Sequence, residues 1–125
     1  MINGIGVDII EISKIKNISD RWGDKAFKKV FTEKEIEYCN SVKHKFRSFA
    51  ARFAAKEAVL KAMGIGLSKG WNWKDIEILN KKSGKPEVNL TGKTKNMFKK
   101  INKKIEISLS HSDNYAVASA IITRR

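Results

Sequence analysis

"RFAAKEAVLKAMG", residues 52–64, reads as a helix that stops at a glycine suited to a C-terminal cap. At ~100° per residue, Phe46, Phe49, Phe53 and Leu60 fall within one narrow arc, and Glu57 points into it. A lone carboxylate on an apolar face is costly, so it is normally paired, hydrogen-bonded, protonated or bound to a metal. The position of Glu57 therefore asks for a partner, and the rest of the chain is searched for one.

Working outward, the helix is expected over residues 45–63, with a helical pattern before it from 19 to 40. Within that region Thr32 stands three residues before Glu35, the spacing of a capping box that starts a second helical turn. The opening "GIGVDIIEI", residues 4–12, is β-branched and nearly all apolar, so a strand is predicted, covered on both faces. "WKDIEILNKKSGKPEVNL" predicts two strands around a Ser-Gly-Lys-Pro turn. "TKNMFKKINKK" predicts a short basic helix with Met97 and Ile101 on one side. "KIEISLSHSDNYAVASAIIT" predicts two strands joined near residues 112–114. No repeat, linker or steady βαβ rhythm appears, which favours an α+β fold, a single small domain over residues 1–125 with an antiparallel sheet packed on helices.

The chain has 125 residues, 42% of them hydrophobic, enough for one real core and too many for wholesale disorder. One cysteine, Cys39, excludes an internal disulfide and suits a reducing compartment. No apolar run approaches the roughly 20 residues that cross a bilayer, and the N-terminus lacks the pattern of a signal peptide. The expectation is a cytoplasmic protein without a membrane partner. Its net charge of +13 calls for an anionic partner. Nucleic acid is one candidate, weakened by the rarity of arginine among the 26 basic residues, since base readout favours arginine.

Asp8 repeats the puzzle of Glu57. It sits among Val7, Ile9, Ile10 and Ile12, with Gly4 and Gly6 on its own side of the strand, which predicts open space beside the carboxylate. Two such acids could share a hard cation, and with only two protein carboxylates Mg²⁺ is favoured, its shell completed by water and phosphate. The alternative is that each acid pairs with a buried lysine or caps a backbone. Lys61, four residues after Glu57, is either a surface ion pair or a cation beside a metal-bound phosphate. Arg52 is rotated ~140° from Glu57; if it binds the same kind of ligand, it does so at a site on a neighbouring subunit. His111 ends an alternating strand run and is either a structural hydrogen-bonding residue or a ligand group. "SLSHSD" lacks the geometry of a serine hydrolase triad, Cys39 has no metal or redox spacing, and "MGIGLSKG" follows a helix where a phosphate loop would open one. Arg21, Lys25 and Lys28 fall at i, i+4 and i+7, a continuous basic face that either faces solvent or docks an acidic partner.

Four motifs in order, "GIGVDIIEI" at 4–12, "FAARFAAKEAVLKAMG" at 49–64, "SGKPEVNLTG" at 83–92 and "ISLSHSDNYAVA" at 107–118, resemble the small class of 4′-phosphopantetheinyl transferases, the holo-acyl-carrier-protein synthases. The resemblance extends over nearly the whole chain. It implies transfer of 4′-phosphopantetheine from coenzyme A to a serine of apo acyl carrier protein, releasing adenosine 3′,5′-bisphosphate, in support of fatty acid biosynthesis. By similarity Asp8 and Glu57 are the Mg²⁺ ligands, with Glu57 and Lys61 catalytic. Arg52, Lys61, Gly64 and His111 are then expected at coenzyme A, some across a subunit boundary of a homotrimer. Lys14, Arg21, Lys25 and Lys28 are expected to hold the acidic carrier. Larger cousins carry a third acid two residues after the first, where this chain has Ile10. On this reading nucleic acid is not a partner. A nucleic-acid-binding module or another Mg²⁺-dependent phosphate enzyme would use the same charge or the same acids.

Overall fold

Alanine lets backbones approach closely, and this chain concentrates alanine on its longest helix and its last strand. The computed structural model describes residues 1–64, 72–99 and 103–124. In it strand β1 (Ile2–Glu11) runs directly into helix α1 (Ile12–Trp22), followed by α2 (Asp24–Val30), α3 (Glu33–Ser41) and α4 (Lys45–Met63). A 3₁₀ turn (Trp73–Asp75) leads into β2 (Ile76–Asn80) and β3 (Pro86–Leu90), then α5 (Gly92–Lys99), β4 (Lys103–His111) and β5 (Tyr115–Arg124). The strands form an antiparallel sheet in the order β1-β5-β4 and a separate β2-β3 hairpin. The α+β expectation, with an antiparallel sheet on helices, is met.

Helix α4 lies across the sheet. Ala54, Ala55, Ala58 and Ala62 meet Ala118, Ala120 and Ile122 of β5 and Ile107 of β4 in one core cluster, to which the hairpin adds Ile76 and Ile78. A second cluster forms where α1, α2 and α3 close over the start of α4. There Phe27, Phe31 and Phe49 stack with ring centroids 4.7–5.6 Å apart, within the favourable aromatic range.

Local signals place several boundaries where sequence reading expects them. Gly64 ends α4 in the left-handed conformation (φ 74°, ψ 21°), and its N–H donates to Lys61 O. Thr32 and Glu35 close a full capping box. The 76–90 hairpin turns through residues 81–85.

Four expectations are corrected. The helical region begins at Ile12, not Ser19, and Gly23 (φ 64°) and Phe31 divide it into three helices. Arg21 therefore lies on α1 and Lys25 and Lys28 on α2, so their basic face is not continuous. Strand β1 is not covered on both faces, because Ile5, Val7 and Ile9 are more than half exposed. The space beside Gly4 and Gly6 is not open: a Cβ on Gly6 would lie 1.9 Å from Ala58 O, and one on Gly4 2.1 Å from Ala62 O. These glycines admit the backbone of α4. The basic helix ends at Lys99, and the expected pairing of Met97 with Ile101 lies outside the described residues.

Candidate active site

Between Phe49 and Ala62 every α4 residue is buried except Phe53, Glu57 and Lys61. That spacing of four draws one accessible line along a helix otherwise enclosed on all sides. Gly64 continues the line at the C-cap. Glu57 is thus not set in an apolar stripe; it stands on the only strip of α4 in this stretch that solvent reaches.

The line faces the edge strand β1. Because Gly6 lets α4 approach, Lys61 reaches β1 and donates from Nζ to Val7 O (3.0 Å) and Asp8 Oδ1 (3.2 Å). The Asp8 side chain is 18% exposed and that of Lys61 54%. Part of the ion-pair alternative is therefore present, with Lys61 bound to Asp8. Asp8 and Glu57 line one cleft of about 330 Å³ with Phe53, Lys14, Glu11 and Tyr115. Partial burial pushes the Glu57 carboxyl above its usual range, the charge of Asp8 pushes it further, and Lys61 pulls it back. Three carboxylates, Asp8, Glu11 and Glu57, against Lys14 and Lys61 leave one negative charge unspent.

That excess suits a divalent cation. Among the described residues no group of three His, Cys, Asp or Glu side chains could hold a metal ion. Among the described residues the cleft offers Asp8 and Glu57, with Glu11 on the same wall, all hard oxygen donors. Such a sparse set fits Mg²⁺, which keeps several waters and takes phosphate oxygens from a substrate, and does not fit a closed zinc site.

The structure does not gather the other expected residues into this cleft. Arg52 is 4% exposed and turned into its own protomer. Its guanidinium bonds Ser48 Oγ (3.2 Å) and Asn80 Oδ1 and lies 4.2 Å from the Tyr38 ring centroid. Nε of Arg52 is buried without a partner among the described residues. His111 pairs with Ala116, which pairs with Ile10, so it lies two strands from β1, roughly 10 Å across the sheet. Lys14 does line the cleft. Arg21 lies farther along α1, beside a hollow with the exposed Trp22, and Lys28 borders a small hollow floored by Phe27 and Phe49.

Sequence reading misses Phe53, Glu11 and Tyr115 as cleft walls and Lys56 as a buried cation. The i, i+4, i+8 run Phe53-Glu57-Lys61 is visible in the sequence. The facing of Tyr115 and Glu11 depends on the β1–β5 register, which no local signal carries.

The fold and the site together describe a small α+β domain that carries two carboxylates and a lysine at one sheet edge. More narrowly, the chain belongs to the 4′-phosphopantetheinyl transferase superfamily, whose family model matches residues 4–120. It is 46% identical over 125 residues to a holo-[acyl-carrier-protein] synthase of Geotalea daltonii, covering 99% of this chain and 100% of that protein. The fold matches a holo-(acyl-carrier-protein) synthase from Bacillus anthracis in complex with CoA (3′,5′-ADP), at a TM-score of 0.82 and 34% identity, over 100% of this chain and 99% of that one. It matches the Neisseria meningitidis holo-[acyl-carrier-protein] synthase at a TM-score of 0.90 and 26% identity, over 99% and 100% of the two chains.

Proposed function

We propose that this chain is a holo-acyl-carrier-protein synthase: it transfers 4′-phosphopantetheine from coenzyme A to a serine of apo acyl carrier protein and releases adenosine 3′,5′-bisphosphate. The observation that carries the reading is the meeting of Asp8 and Glu57, from opposite sides of the β1–α4 contact, in one cleft, with Lys61 bonded to Asp8 at its edge.

The serine Oγ attacks the β-phosphorus of coenzyme A, and the bond from that phosphorus to the bridging oxygen breaks. Asp8 and Glu57 would hold Mg²⁺, which supplies Lewis acidity at the pyrophosphate when bound. Lys61 sets a positive charge beside the phosphates and offsets the charge that grows on the departing group. Glu57, whose proton affinity is already raised, accepts the serine proton directly or through a water. Phe53 shields one wall of the cleft. Gly64 and His111 are assigned to coenzyme A on the family's pattern. Arg52 would need to turn out from its bonds with Ser48 and Asn80 to do the same.

Acyl carriers are acidic, and Lys14, Arg21, Lys25 and Lys28 border the cleft or lie on the helices beside it, a basic surface that would steer such a partner. The exposed apolar side chains of β1 support a homotrimer in which the sheets of neighbouring protomers cover them and sites lie between subunits. Among the described residues no helix is long and apolar enough to cross a membrane. We assign the enzyme to the cytoplasm and to fatty acid biosynthesis, consistent with its buried free thiol Cys39.

Incubation with apo acyl carrier protein, coenzyme A and Mg²⁺ should raise the carrier's mass by one phosphopantetheine. A competent carrier left at its apo mass overturns the assignment.

A further inference from the structure

The apolar packing of α4 fixes its rotation only in part. Six of its buried residues, Ala50, Ala51, Ala54, Ala55, Ala58 and Ala62, present only methyl groups to the sheet and neighbouring helices. Methyl surfaces interlock less than branched or aromatic side chains, so the apolar hold on the helix's rotation falls to Phe49, Val59 and Leu60 and to the contacts with Gly4 and Gly6. Burial on nearly all sides removes the usual amphipathic preference as well. Yet the site depends on that rotation, because Glu57 and Lys61 must face Asp8.

Lys56 resolves it. The side chain is 0% exposed, and its Nζ donates to Glu35 Oε1 (2.8 Å), Ile76 O (2.6 Å) and Trp73 O (3.1 Å), one acceptor for each proton. Glu35 is also 0% exposed, and its carboxylate accepts from Thr32 N (2.8 Å) and Ile78 N (2.9 Å). One polar node thus joins α3, α4 and β2. Buried ion pairs seldom stabilise a fold more than apolar packing would, and their best-attested use is to select one arrangement among several. Trp73, whose carbonyl Lys56 holds, packs its ring 5.1 Å from Phe53, a wall of the cleft.

We propose that Lys56 is a positioning residue for the transfer step: clamped by Glu35 and the carbonyls of Trp73 and Ile76, it fixes the rotation of α4 and so the direction in which Glu57 enters the cleft. The inference rests on the reading of Glu57 as a site group. Lys56 itself touches no substrate.

The test compares Lys56→Met, Glu35→Gln and the double variant at 15 °C, with rates divided by the folded fraction from urea unfolding. Misdirection of a reacting group by about 1 Å can cost up to ~100-fold. Lys56→Met should therefore lose at least about ten-fold in kcat per folded molecule, with KM for the carrier within about three-fold. The isosteric Glu35→Gln, which keeps an acceptor for Lys56, should lose less. The double variant should be no slower than Lys56→Met alone, because the two residues act as one unit. Unchanged kcat in folded Lys56→Met, or additive losses in the double variant, overturns the role. If Lys56→Met does not fold, Glu35→Gln decides: wild-type kcat overturns the proposal and a several-fold loss with unchanged KM sustains it. Wild-type protein inactive on apo carrier would remove the functional reading, and this inference with it. Altered variants beside an active wild type bear on Lys56 alone.

Discussion

Replacing Gly6 by alanine adds one methyl group at the tightest point between β1 and α4. Its Cβ would stand 1.9 Å from Ala58 O and 2.8 Å from Ala62 N. Ordinary contacts begin near 3.4 Å, so strand and helix must separate locally by about 1.5 Å. Both obstructing atoms are backbone within α4, and no side-chain rotation relieves them. Overpacking of this kind costs about 1–3 kcal/mol. For a domain of this size that lowers Tm by roughly 4–11 °C. The functional cost should exceed the thermodynamic one. Ala58 directly follows Glu57, and Lys61 spans the same gap to Asp8, so the separation acts on the site at its centre. A displacement of about 1 Å at reacting groups can cost ~100-fold in rate. The assay is carrier mass gain over time at a temperature where circular dichroism shows the variant fully folded, beside a thermal melt. A Gly6→Ala protein with wild-type Tm and a rate within two-fold of wild type would refute the packing argument.

Glu57→Gln should separate stability from activity. The Glu57 carboxyl is held above its usual range, so the folded state prefers it protonated; the cost of ionising it is absent below the unfolded value near 4.5 and present once pH rises through the folded one. The variant should therefore melt higher than wild type at pH 8 and equally at pH 4, while carrier modification falls about 100-fold or more; equal melting at pH 8 would count against the electrostatic reading. Val7 is 57% exposed on the outer face of β1, so Val7→Asp should change the stability of a lone protomer by less than about 0.5 kcal/mol, yet dissolve a trimer into monomers on sedimentation. Unaltered sedimentation of a trimeric protein would show that this face is not the interface.

Elements whose signals are local were legible in the sequence. Gly64 as a cap, Thr32 with Glu35 as a box, and the turn before Pro86 each need only a few neighbouring residues to act. The passage from β1 to α1 was not, because the apolar run Ile9-Ile10-Glu11-Ile12 contains no breaker and both elements accept it. Apolarity also misled about coverage, since Ile5, Val7 and Ile9 look like core residues yet line an open face of the protomer. Asp8 and Glu57 drew attention as acids among apolar neighbours, and they do line one cleft. Gly4 and Gly6 do not make the space near Asp8: they admit a helix, a contact more than 50 residues distant in sequence. The helical pitch turns Lys56 away from Glu57, but its burial is not legible, because its partner Glu35, 21 residues away, already has a complete local role as a cap.

Strand β1 passes into α1 between Glu11 and Ile12 with no residue to spare, and Ile12 N donates to Asn114 O. The acid of the cleft and the basic helix proposed to receive the carrier are thus fused end to end, without a hinge. One inserted residue there would swing the whole of α1 by ~100° about its axis, turning Arg21 away from any carrier whose serine still reached Asp8. The reach from the proposed docking helix to the cleft is in effect a ruler cut into the backbone.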